Sequence, residues 1–409
     1  MSPLEAAARA GRWIRSSAVD DARGRHWSAG DRAALPHRPA SLYSGAAGIV
    51  LFFLELAQAT GDDSYLDDVH AGARYLTSVW PTVKDQTLYD GVAGIMFCLA
   101  ELGWATGEPA YSEQAAAIAD TLADRTAWTG DPAQRGDGGI ALALLHASSV
   151  LGEPAYARAA VEAGLRIATM PVPGHRFGQE CTADLPLDAV TPGFLPGTAG
   201  TAFLLARLHG VTGDQRFLEA ARRGAGFVRE VSEVAGNCAV VPHHVPQGRD
   251  LHYLGFCSGS AGVARMFHEL GEHDWVDRLA HGIMTSGVPY KETRGFWNTA
   301  CQCCGVAGLL ELFVGLWAAT GREPYLDFAR TLGEHLVETG QDGQWWQAYR
   351  RLRPWEVTAD TGYMVGAAGI GAALLHLDAA TRGDDVRRML LLPDNPFPSV
   401  VVTGSPAAP

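Results

Sequence analysis

Three cysteines crowd into four positions of the chain, Cys301, Cys303 and Cys304, immediately ahead of a glycine and a long apolar run. Another thiol, Cys257, stands in a similar place, ahead of the Gly-x-x-Gly that begins at Gly259. We place Cys257 and Cys304 at equivalent positions of two consecutive repeats, with Cys303 beside the second thiol. Unpaired N–H groups at a helix N-terminus lower the pKa of a nearby thiol, so this setting favours thiolates. The pattern therefore predicts metal binding or thiol chemistry.

Three thiolates converging in a reducing compartment predict a zinc site. We expect Cys257, Cys303 and Cys304 to be the ligands, which leaves the fourth tetrahedral position open, as in catalytic zinc sites. Two alternatives remain: a closed structural site that also uses Cys301, and reduced thiols without a metal. Cys98 lies within an apolar run and is predicted to be an inert core residue.

A repeated unit must position these thiols. Gly-x-x-Gly followed by an apolar run occurs seven times, with first glycines Gly45, Gly91, Gly136, Gly197, Gly259, Gly305 and Gly366. Each of the first six runs ends in a Gly-containing turn, and the next segment carries apolar residues at i, i+3, i+4 and i+7. A thoroughly apolar helix therefore alternates with an amphipathic one, seven times each when the N-terminal helix is counted.

Closing such a set into a ring buries every apolar helix, whereas a linear solenoid would keep two exposed ends. The sequence therefore predicts an all-α fold, an (α/α)7 toroid of seven inner and seven outer helices, over residues 1–385. Short turns make the inner helices parallel, so their N-termini meet at one end. Residues 386–409 contain Pro, Gly and Ser without a helical period, and we predict an extended or disordered tail.

Composition excludes several classes of function. A formal net charge of −13 argues against binding to nucleic acid or to an anionic membrane. The apolar runs are about half the ~20 residues that a membrane span requires, and the N-terminus lacks the apolar core of a secretory signal. We therefore expect a cytoplasmic protein without a membrane span, whose seven cysteines stay reduced.

The cysteine pattern resembles that of the lanthipeptide cyclases, the LanC-like proteins. The features that carry the resemblance are the seven Gly-x-x-Gly helix starts, Cys-x-Gly before the fifth repeat and Cys-Cys-Gly before the sixth. Many members have Cys-His-Gly at the latter place, and a three-cysteine variant is known. The resemblance covers residues 1–385 and implies a toroid in which Zn²⁺ activates a cysteine thiolate of a precursor peptide. That thiolate adds to dehydroalanine or dehydrobutyrine and forms a thioether ring.

The resemblance also implies partners. The precursor peptide would arrive already dehydrated by separate dehydratase, kinase or lyase enzymes of the pathway, because we expect no such extension ahead of the toroid. An alternative function remains open, a catalytically degenerate toroid that acts as a peptide-binding or complex-organising subunit.

The chain departs from the family at the proton donor. The resemblance implies a histidine immediately before the glycine of the fourth repeat, where this chain has Pro196. Proline cannot transfer a proton, which favours the degenerate alternative, whereas the intact cysteine trio favours the enzyme. The resemblance further implies an aspartate before the third repeat, matched by Asp131 one position away or by Asp137. It also implies an arginine before and a tyrosine after the first zinc cysteine, where this chain has Tyr253 and Ser258.

Protonation of the enolate that thiol addition produces requires a general acid. The candidates are His243, His244, His252 and Tyr253 on the loop before Cys257, together with Asp131. The histidines in or beside the apolar runs are predicted to be structural: His146, His268 and His376. Three tryptophans are expected to pack in the core, with a peptide groove as the alternative: Trp297, Trp346 and Trp355.

Overall fold

The structure, a computed structural model, describes residues 1–28, 38–124, 128–170, 186, 188–290, 296–297, 299–349, 351, 353–382 and 389–398. Within these ranges the chain forms fourteen α-helices: α1 (Pro3–Ser16), α2 (Ala46–Thr60), α3 (Ser64–Val79), α4 (Val92–Thr106), α5 (Pro109–Ala123), α6 (Asp137–Leu151), α7 (Pro154–Ala168), α8 (Thr198–Thr212), α9 (Gln215–Val231), α10 (Ser260–Glu269), α11 (His273–Thr285), α12 (Val306–Thr320), α13 (Glu323–Thr339) and α14 (Ala367–Arg382). None of these helices combines the length and the apolar character needed to cross a membrane.

Short strands pair two by two in the loops between helices. The strands are β1 (Ala18–Asp21), β2 (Gly24–Trp27), β3 (Glu233–Ala235), β4 (Cys238–Val240), β5 (His252–Tyr253), β6 (Phe296–Trp297), β7 (Gln347–Ala348) and β8 (Val357–Thr358). The pairs β1–β2, β3–β4 and β7–β8 are antiparallel, and β5–β6 is parallel. These ribbons are too short to form a core layer, so helix packing supplies the core.

Each predicted Gly-x-x-Gly begins an even-numbered helix, and the first glycine lies immediately before it. The first six of these N-cap glycines have extended or nearly extended backbones with negative φ, which other residues also adopt. The conformational freedom of glycine therefore does not explain why glycine occupies these positions. Close packing does: a side chain at Gly305 would collide with the carbonyl oxygen of Thr299, and one at Gly366 with that of Asp360. The preceding loop therefore folds directly over each helix start.

The ends of these helices also match the predicted turns. Five of the even-numbered helices end at a glycine in the left-handed conformation, which residues with a side chain adopt at a cost. These glycines are Gly61, Gly107, Gly152, Gly213 and Gly321. The even-numbered helices are buried on nearly all sides, whereas the odd-numbered helices bury one face. The predicted alternation of apolar and amphipathic helices is confirmed.

The chain divides into two compact units, which are described separately. Unit 1 comprises residues 1–81 and 299–409, and unit 2 comprises residues 82–298. In unit 1, helices α2 and α12 each pack against α14, while α3 covers α2, α13 covers α12 and α1 covers α14. In unit 2, α4, α6, α8 and α10 pack in sequence, each with the following odd-numbered helix. The N-terminal helix thus belongs to the amphipathic set, as predicted.

Backbone hydrogen bonds join the loops that precede neighbouring even-numbered helices. In unit 1, the N–H of Cys303 donates to the carbonyl of Met364 (2.9 Å), and the N–H of Met364 donates to the carbonyl of Tyr43 (2.8 Å). In unit 2, the N–H of Leu195 donates to the carbonyl of Cys257 (2.8 Å). All five residues lie two positions before an N-cap glycine. The helix starts within each unit are therefore held in a common register.

The other ends of the even-numbered helices carry paired charges, buried in unit 1 and partly exposed in unit 2. In unit 1, His376 Nε2 lies 2.8 Å from Glu55 Oε1, and His376 Nδ1 lies 2.6 Å from Glu311 Oε1. In unit 2, His146 Nε2 lies 2.8 Å from Glu101 Oε1, and Arg207 pairs with Glu269 at 3.3 Å. These contacts assign structural roles to His146 and His376.

All of these paired residues except Glu311 share one sequence position. Six repeats have a charged residue or a histidine ten residues after the N-cap glycine: Glu55, Glu101, His146, Arg207, Glu269 and His376. In the remaining repeat this position is Gly315, and the ring of Phe397 packs in the space that a side chain would need. Residues 389–398 therefore pack beside this end of unit 1, and the N–H of Leu390 donates to Glu55 Oε1 (2.7 Å).

Candidate functional site

The helix starts correct the register of the cysteines. Cys257 lies two residues before the N-cap Gly259, and Cys303 lies two residues before the N-cap Gly305. Cys304 lies one residue before Gly305. The expected equivalence of Cys257 and Cys304 is therefore wrong, because the repeats align on the N-cap glycine, and Cys303 is the thiol that corresponds to Cys257.

In unit 1 the thiols lie at the N-terminus of α12. Cys303 is 3% exposed, and its sulfur accepts a hydrogen bond from the hydroxyl of Tyr43 at 3.1 Å. Cys304 is half-buried. Cys301 is fully buried, with its Sγ 3.2 Å from the hydroxyl oxygen of Thr299. The N-terminus of α12 and the Tyr43 hydroxyl both favour negative charge on sulfur.

Gln347 on β7 fixes the loop that carries these thiols. Its Oε1 accepts hydrogen bonds from the backbone N–H groups of Ala300 (2.9 Å) and Cys301 (3.0 Å). Its Nε2 donates to the carbonyl of Val365 (2.9 Å) and to the hydroxyl of Tyr349 (2.7 Å). The amide therefore uses both donors and two acceptor sites, and it joins the loop before α12 to the loop before α14.

Tyr349 lies at the same place and was missed by the sequence analysis. Burial raises the pKa of Tyr349 well above its ordinary value, and the neighbouring Cys301, Asp360 and Cys304 raise it further. The phenol therefore stays protonated near neutral pH. No pattern within the segment 345–358 marks Gln347 or Tyr349 as special, because their importance comes from a loop more than 40 residues earlier in the chain.

In unit 2, Cys257 lies at the N-terminus of α10. It is 8% exposed, and its carbonyl accepts hydrogen bonds from the N–H groups of Phe194 (2.9 Å) and Leu195 (2.8 Å). The next residue back, Phe256, packs beneath the guanidinium of Arg265 at 4.6 Å from the ring centre. Arg265 is a buried cation in α10 that the sequence analysis also missed, although a charge within an apolar run was a visible signal.

Three of the predicted proton donors form one cluster in unit 2. The Nδ1 atoms of His243 and His244 lie 3.0 Å apart, and the ring centre of His243 lies 4.3 Å from that of Tyr253. The loop that carries them runs close to the start of α10, where the N–H of Val241 donates to the hydroxyl of Ser260 (3.4 Å). The cluster therefore belongs to the helix start that also holds Cys257.

His252 stands apart from this cluster. Adjacent residues of a strand point to opposite faces, so His252 and Tyr253 on β5 diverge. His252 is buried, with its Nε2 3.6 Å from a carboxylate oxygen of Glu233. Burial lowers the pKa of His252, although the charge of Glu233 opposes the change. The imidazole is therefore neutral near neutral pH.

Two aspartates, Asp131 before α6 and Asp137 at its first position, bind the loop that leads into this helix. Asp137 accepts hydrogen bonds from the N–H (2.7 Å) and hydroxyl (2.8 Å) of Thr129 and from the N–H of Gly130 (2.8 Å). Asp131 accepts one from the N–H of Ala133 (3.0 Å), and burial raises its pKa. Asp137 thus fastens the turn, whereas Asp131 keeps part of its hydrogen-bonding capacity for another group.

Pro196 lies directly before the N-cap of α8. It is buried, and its carbonyl accepts a hydrogen bond from the hydroxyl of Thr191 (3.0 Å). The position at which the resemblance implies a histidine therefore carries no transferable proton.

The core prediction for the tryptophans is wrong at two positions. Trp346 is 51% exposed and Trp355 is 73% exposed. The neighbouring Trp345 is buried instead, and its indole N–H donates to the carbonyl of Leu336 (2.8 Å). The physical reason at Trp346 is the alternation of side chains along the chain as it enters β7, whereas Trp355 lies in a turn before β8. Trp297 lies on β6, and its side chain is outside the described part of the chain.

Comparisons with known proteins identify the family and the fold. The family model described as "Lanthionine synthetase C-like protein" matches residues 36–391. Nisin cyclase has a similar structure, with a TM-score of 0.66 and 15% identity over 92% of this chain and 98% of that chain. The predicted fold class, an all-α (α/α)7 toroid, is confirmed.

A weaker similarity is to the unsaturated glucuronyl hydrolase of Bacillus sp. GL1, with a TM-score of 0.48 and 17% identity over 92% of this chain and 95% of that chain. A comparison with curated proteins gave no match.

Proposed function

The chain belongs to the lanthionine synthetase C-like family, and on this premise we propose that it is a zinc-dependent thioether cyclase. It adds cysteine thiolates of a ribosomally made precursor peptide to dehydroalanine or dehydrobutyrine and so forms lanthionine or methyllanthionine. The observation that carries the proposal is the placement of the thiols: Cys257 and Cys303 occupy the same position before helices α10 and α12, with Cys304 beside the second.

The donor set fits zinc. Cysteine sulfurs are soft ligands that zinc prefers, and three of them leave one tetrahedral position for a substrate thiol. The hydrogen bond from Tyr43 to the sulfur of Cys303 is the kind of outer contact that orients a metal ligand. Bound zinc would supply a site at which the peptide thiol loses its proton near neutral pH. We assign the zinc ligands to Cys257, Cys303 and Cys304.

We assign positioning and proton-accepting roles to the residues around the thiols. Gln347 holds the loop before α12, and Tyr43 orients the sulfur of Cys303. We assign to the His243–His244 pair, with Tyr253 against it, the acceptance of the proton that the peptide thiol releases, because imidazoles titrate near neutral pH. His252 is turned toward Glu233, and Asp131 remains a candidate on the loop before α6.

The partners and the setting follow from the chemistry. The substrate is a precursor peptide that already contains dehydrated residues, so dehydratase, kinase or lyase enzymes of the pathway must act before it. We place the protein in the cytoplasm, where thiols remain reduced. Pro196 favours a second candidate, a degenerate toroid that binds the peptide or organises a complex without closing rings.

One experiment separates the two candidates. Zinc content is measured by elemental mass spectrometry, and ring closure is followed on a library of synthetic peptides that each contain one dehydroalanine and one cysteine. Ring closure leaves the peptide mass unchanged, so the products are treated with iodoacetamide, which labels only free thiols. We expect the wild-type protein to bind one zinc ion. We also expect it to convert peptide thiols into thioethers, which iodoacetamide does not label.

Variants complete the design. Cys303→Ser should lose both zinc and ring closure, whereas Cys238→Ser removes a half-buried thiol beside Thr285 and should keep both. Cys301→Ser tests the closed four-cysteine alternative, because zinc retention in this variant supports the open site. A wild-type protein that binds zinc and closes no ring would support the degenerate candidate, and a metal-free one would refute the zinc proposal.

A further inference from the structure

The proposed cyclase needs a proton donor that the sequence does not supply at the expected place. Thiol addition to dehydroalanine leaves an enolate, and its Cα must receive a proton. Pro196 stands where the resemblance implied a histidine. The His243–His244 pair is assigned above to the proton of the peptide thiol, and His252 is turned toward Glu233. Unit 1 contains a further candidate donor that the preceding assignments do not use.

Tyr349 has the geometry of a proton donor. Its hydroxyl oxygen accepts a hydrogen bond from Gln347 Nε2 at 2.7 Å. Since that contact uses a lone pair of the oxygen, the hydroxyl hydrogen remains available to another acceptor. Tyr349 is half-buried as a residue, so it is not sealed within the core of the unit. Tyr349 also belongs to the same unit as Cys303 and Cys304, and the Gln347 side chain that contacts its hydroxyl also binds the N–H of Cys301 in the loop that carries both thiols.

The support for Tyr349 is rigid. Gln347 is buried and makes three further hydrogen bonds, with the N–H groups of Ala300 and Cys301 and with the carbonyl of Val365. Its Nε2 can therefore not rotate away without breaking contacts to the loops before α12 and α14. A donor held in this way meets the requirement that proton transfer places on geometry.

The second tyrosine at this place has a different role. The Tyr43 hydroxyl donates its hydrogen to the sulfur of Cys303 (3.1 Å). A proton engaged with a ligand sulfur is less available to a carbon atom of the substrate. This contrast selects Tyr349 over Tyr43.

Resting on the proposed function, we propose that Tyr349 is the catalytic residue that protonates Cα, and that Gln347 is its positioning residue. The sulfur electron pair forms the S–Cβ bond while the π pair of the dehydroalanine moves to the enolate. The enolate takes the proton of the Tyr349 hydroxyl and forms the Cα–H bond. The phenolate then regains a proton from water, and the peptide thiol has released its own, so the net change is addition of S–H across the double bond.

A fixed donor has a consequence that a structural residue lacks. Tyr349 would deliver its proton to one face of the enolate, so each ring should have a single configuration at Cα. Without the phenol, water must protonate the enolate, and it can approach either face. The configuration of the product therefore reports on the donor independently of the rate.

The test uses the peptide library with wild-type, Tyr349→Phe and Gln347→Glu proteins. Zinc content, the initial rate of ring closure and the Cα configuration of the lanthionine, by chiral chromatography after hydrolysis, are measured for each. We expect Tyr349→Phe to keep its zinc, to close rings about 10²-fold more slowly and to give mixed Cα configurations. Tyr325→Phe, on helix α13 of the same unit, serves as the matched control and should behave as wild type.

Gln347→Glu tests the positioning role separately. A carboxylate can still accept from Ala300 and Cys301, but it accepts the Tyr349 hydrogen instead of donating to its oxygen. We therefore expect slower ring closure with partial loss of a single Cα configuration, while zinc is retained.

Two results would overturn the assignment of Tyr349. One is a Tyr349→Phe protein that closes rings at the wild-type rate with one configuration, and the other is a variant that loses zinc or folding together with its activity. A wild-type protein that binds zinc yet closes no ring in the library would instead refute the proposed function, and the inference with it.

Discussion

The two ends of the even-numbered helices bury polar groups in different ways. At the C-terminal ends, His376 meets Glu55 and Glu311, and His146 meets Glu101, so charges are matched by partners on neighbouring helices. At the N-terminal ends, thiols lie before α10 in unit 2 and before α12 in unit 1, where helix termini favour negative charge. Matched charges specify packing, whereas thiolates at helix starts fit the zinc ion that we propose. The comparison therefore contrasts polar groups that stabilise the fold with those to which we assign the chemistry.

The largest expected effect lies at the thiol end. Cys257→Ser and Cys303→Ser should each reduce bound zinc to a small fraction of one ion per chain and slow ring closure by at least about 10²-fold, because the thiolate source is lost. Elemental analysis and the labelling assay measure the two effects. Cys98→Ala is the control, since burial raises the pKa of that core thiol and keeps it inert. If Cys98→Ala lost as much zinc as Cys257→Ser and Cys303→Ser, the assignment of the metal site to the helix N-termini would be contradicted.

A large effect on stability is expected at the other end. His376→Gln leaves Glu55 and Glu311 without their shared partner, and we expect the free energy of unfolding to fall by about 3–5 kcal/mol. Chemical denaturation measures the change, and zinc content should remain at the wild-type level. Arg330→Ala is the control, because its ion pairs with Glu323 and Asp327 are exposed and should contribute less than about 1 kcal/mol.

The ion pairs of His376 also predict that the stability difference between the wild-type and His376→Gln proteins depends on pH. Burial alone would lower the pKa of His376, but Glu311 and Glu55 outweigh it and raise the pKa well above its ordinary value. The protonated form therefore stabilises the fold fully below about pH 6.5, the unfolded value, and this contribution disappears as the pH rises through the folded pKa. The stability difference between wild type and His376→Gln should shrink in alkaline solution. A difference that grows with pH would contradict the ion-pair interpretation.

A smaller effect sharpens the comparison within the thiol end. Tyr43→Phe removes the hydrogen bond to the sulfur of Cys303 and should weaken zinc binding by about tenfold, in the range typical of outer contacts to metal ligands. Competition with a chromogenic chelator measures the affinity. Tyr89→Phe is the matched control, because Tyr89 occupies the same position before helix α4. Equal affinities of the two variants would show that the Tyr43 contact does not orient a ligand.

Local features of the chain were predictable from the sequence. The N-cap glycines, the left-handed turns and the alternation of apolar and amphipathic helices follow from short patterns, and the structure confirms them. The register of Cys257 against Cys303 was missed because the repeats were compared by thiol instead of by N-cap glycine. The exposure of Trp346 and Trp355 was missed because the β7–β8 hairpin has too few residues to show a period of two.

By itself, the sequence determined which segments become helices, where each begins, and which helix starts carry thiols. These features depend on periodicity and on capping residues within a few positions, so short segments of the sequence are enough to predict them. Only the tertiary structure decided that Gln347 and Tyr349 meet the loop of Cys301, that Tyr43 meets Cys303 across 260 residues, and that His376 meets Glu55 across 321. Such contacts depend on which helices pack side by side, and the free energy of that packing is a property of the whole unit and of no single segment.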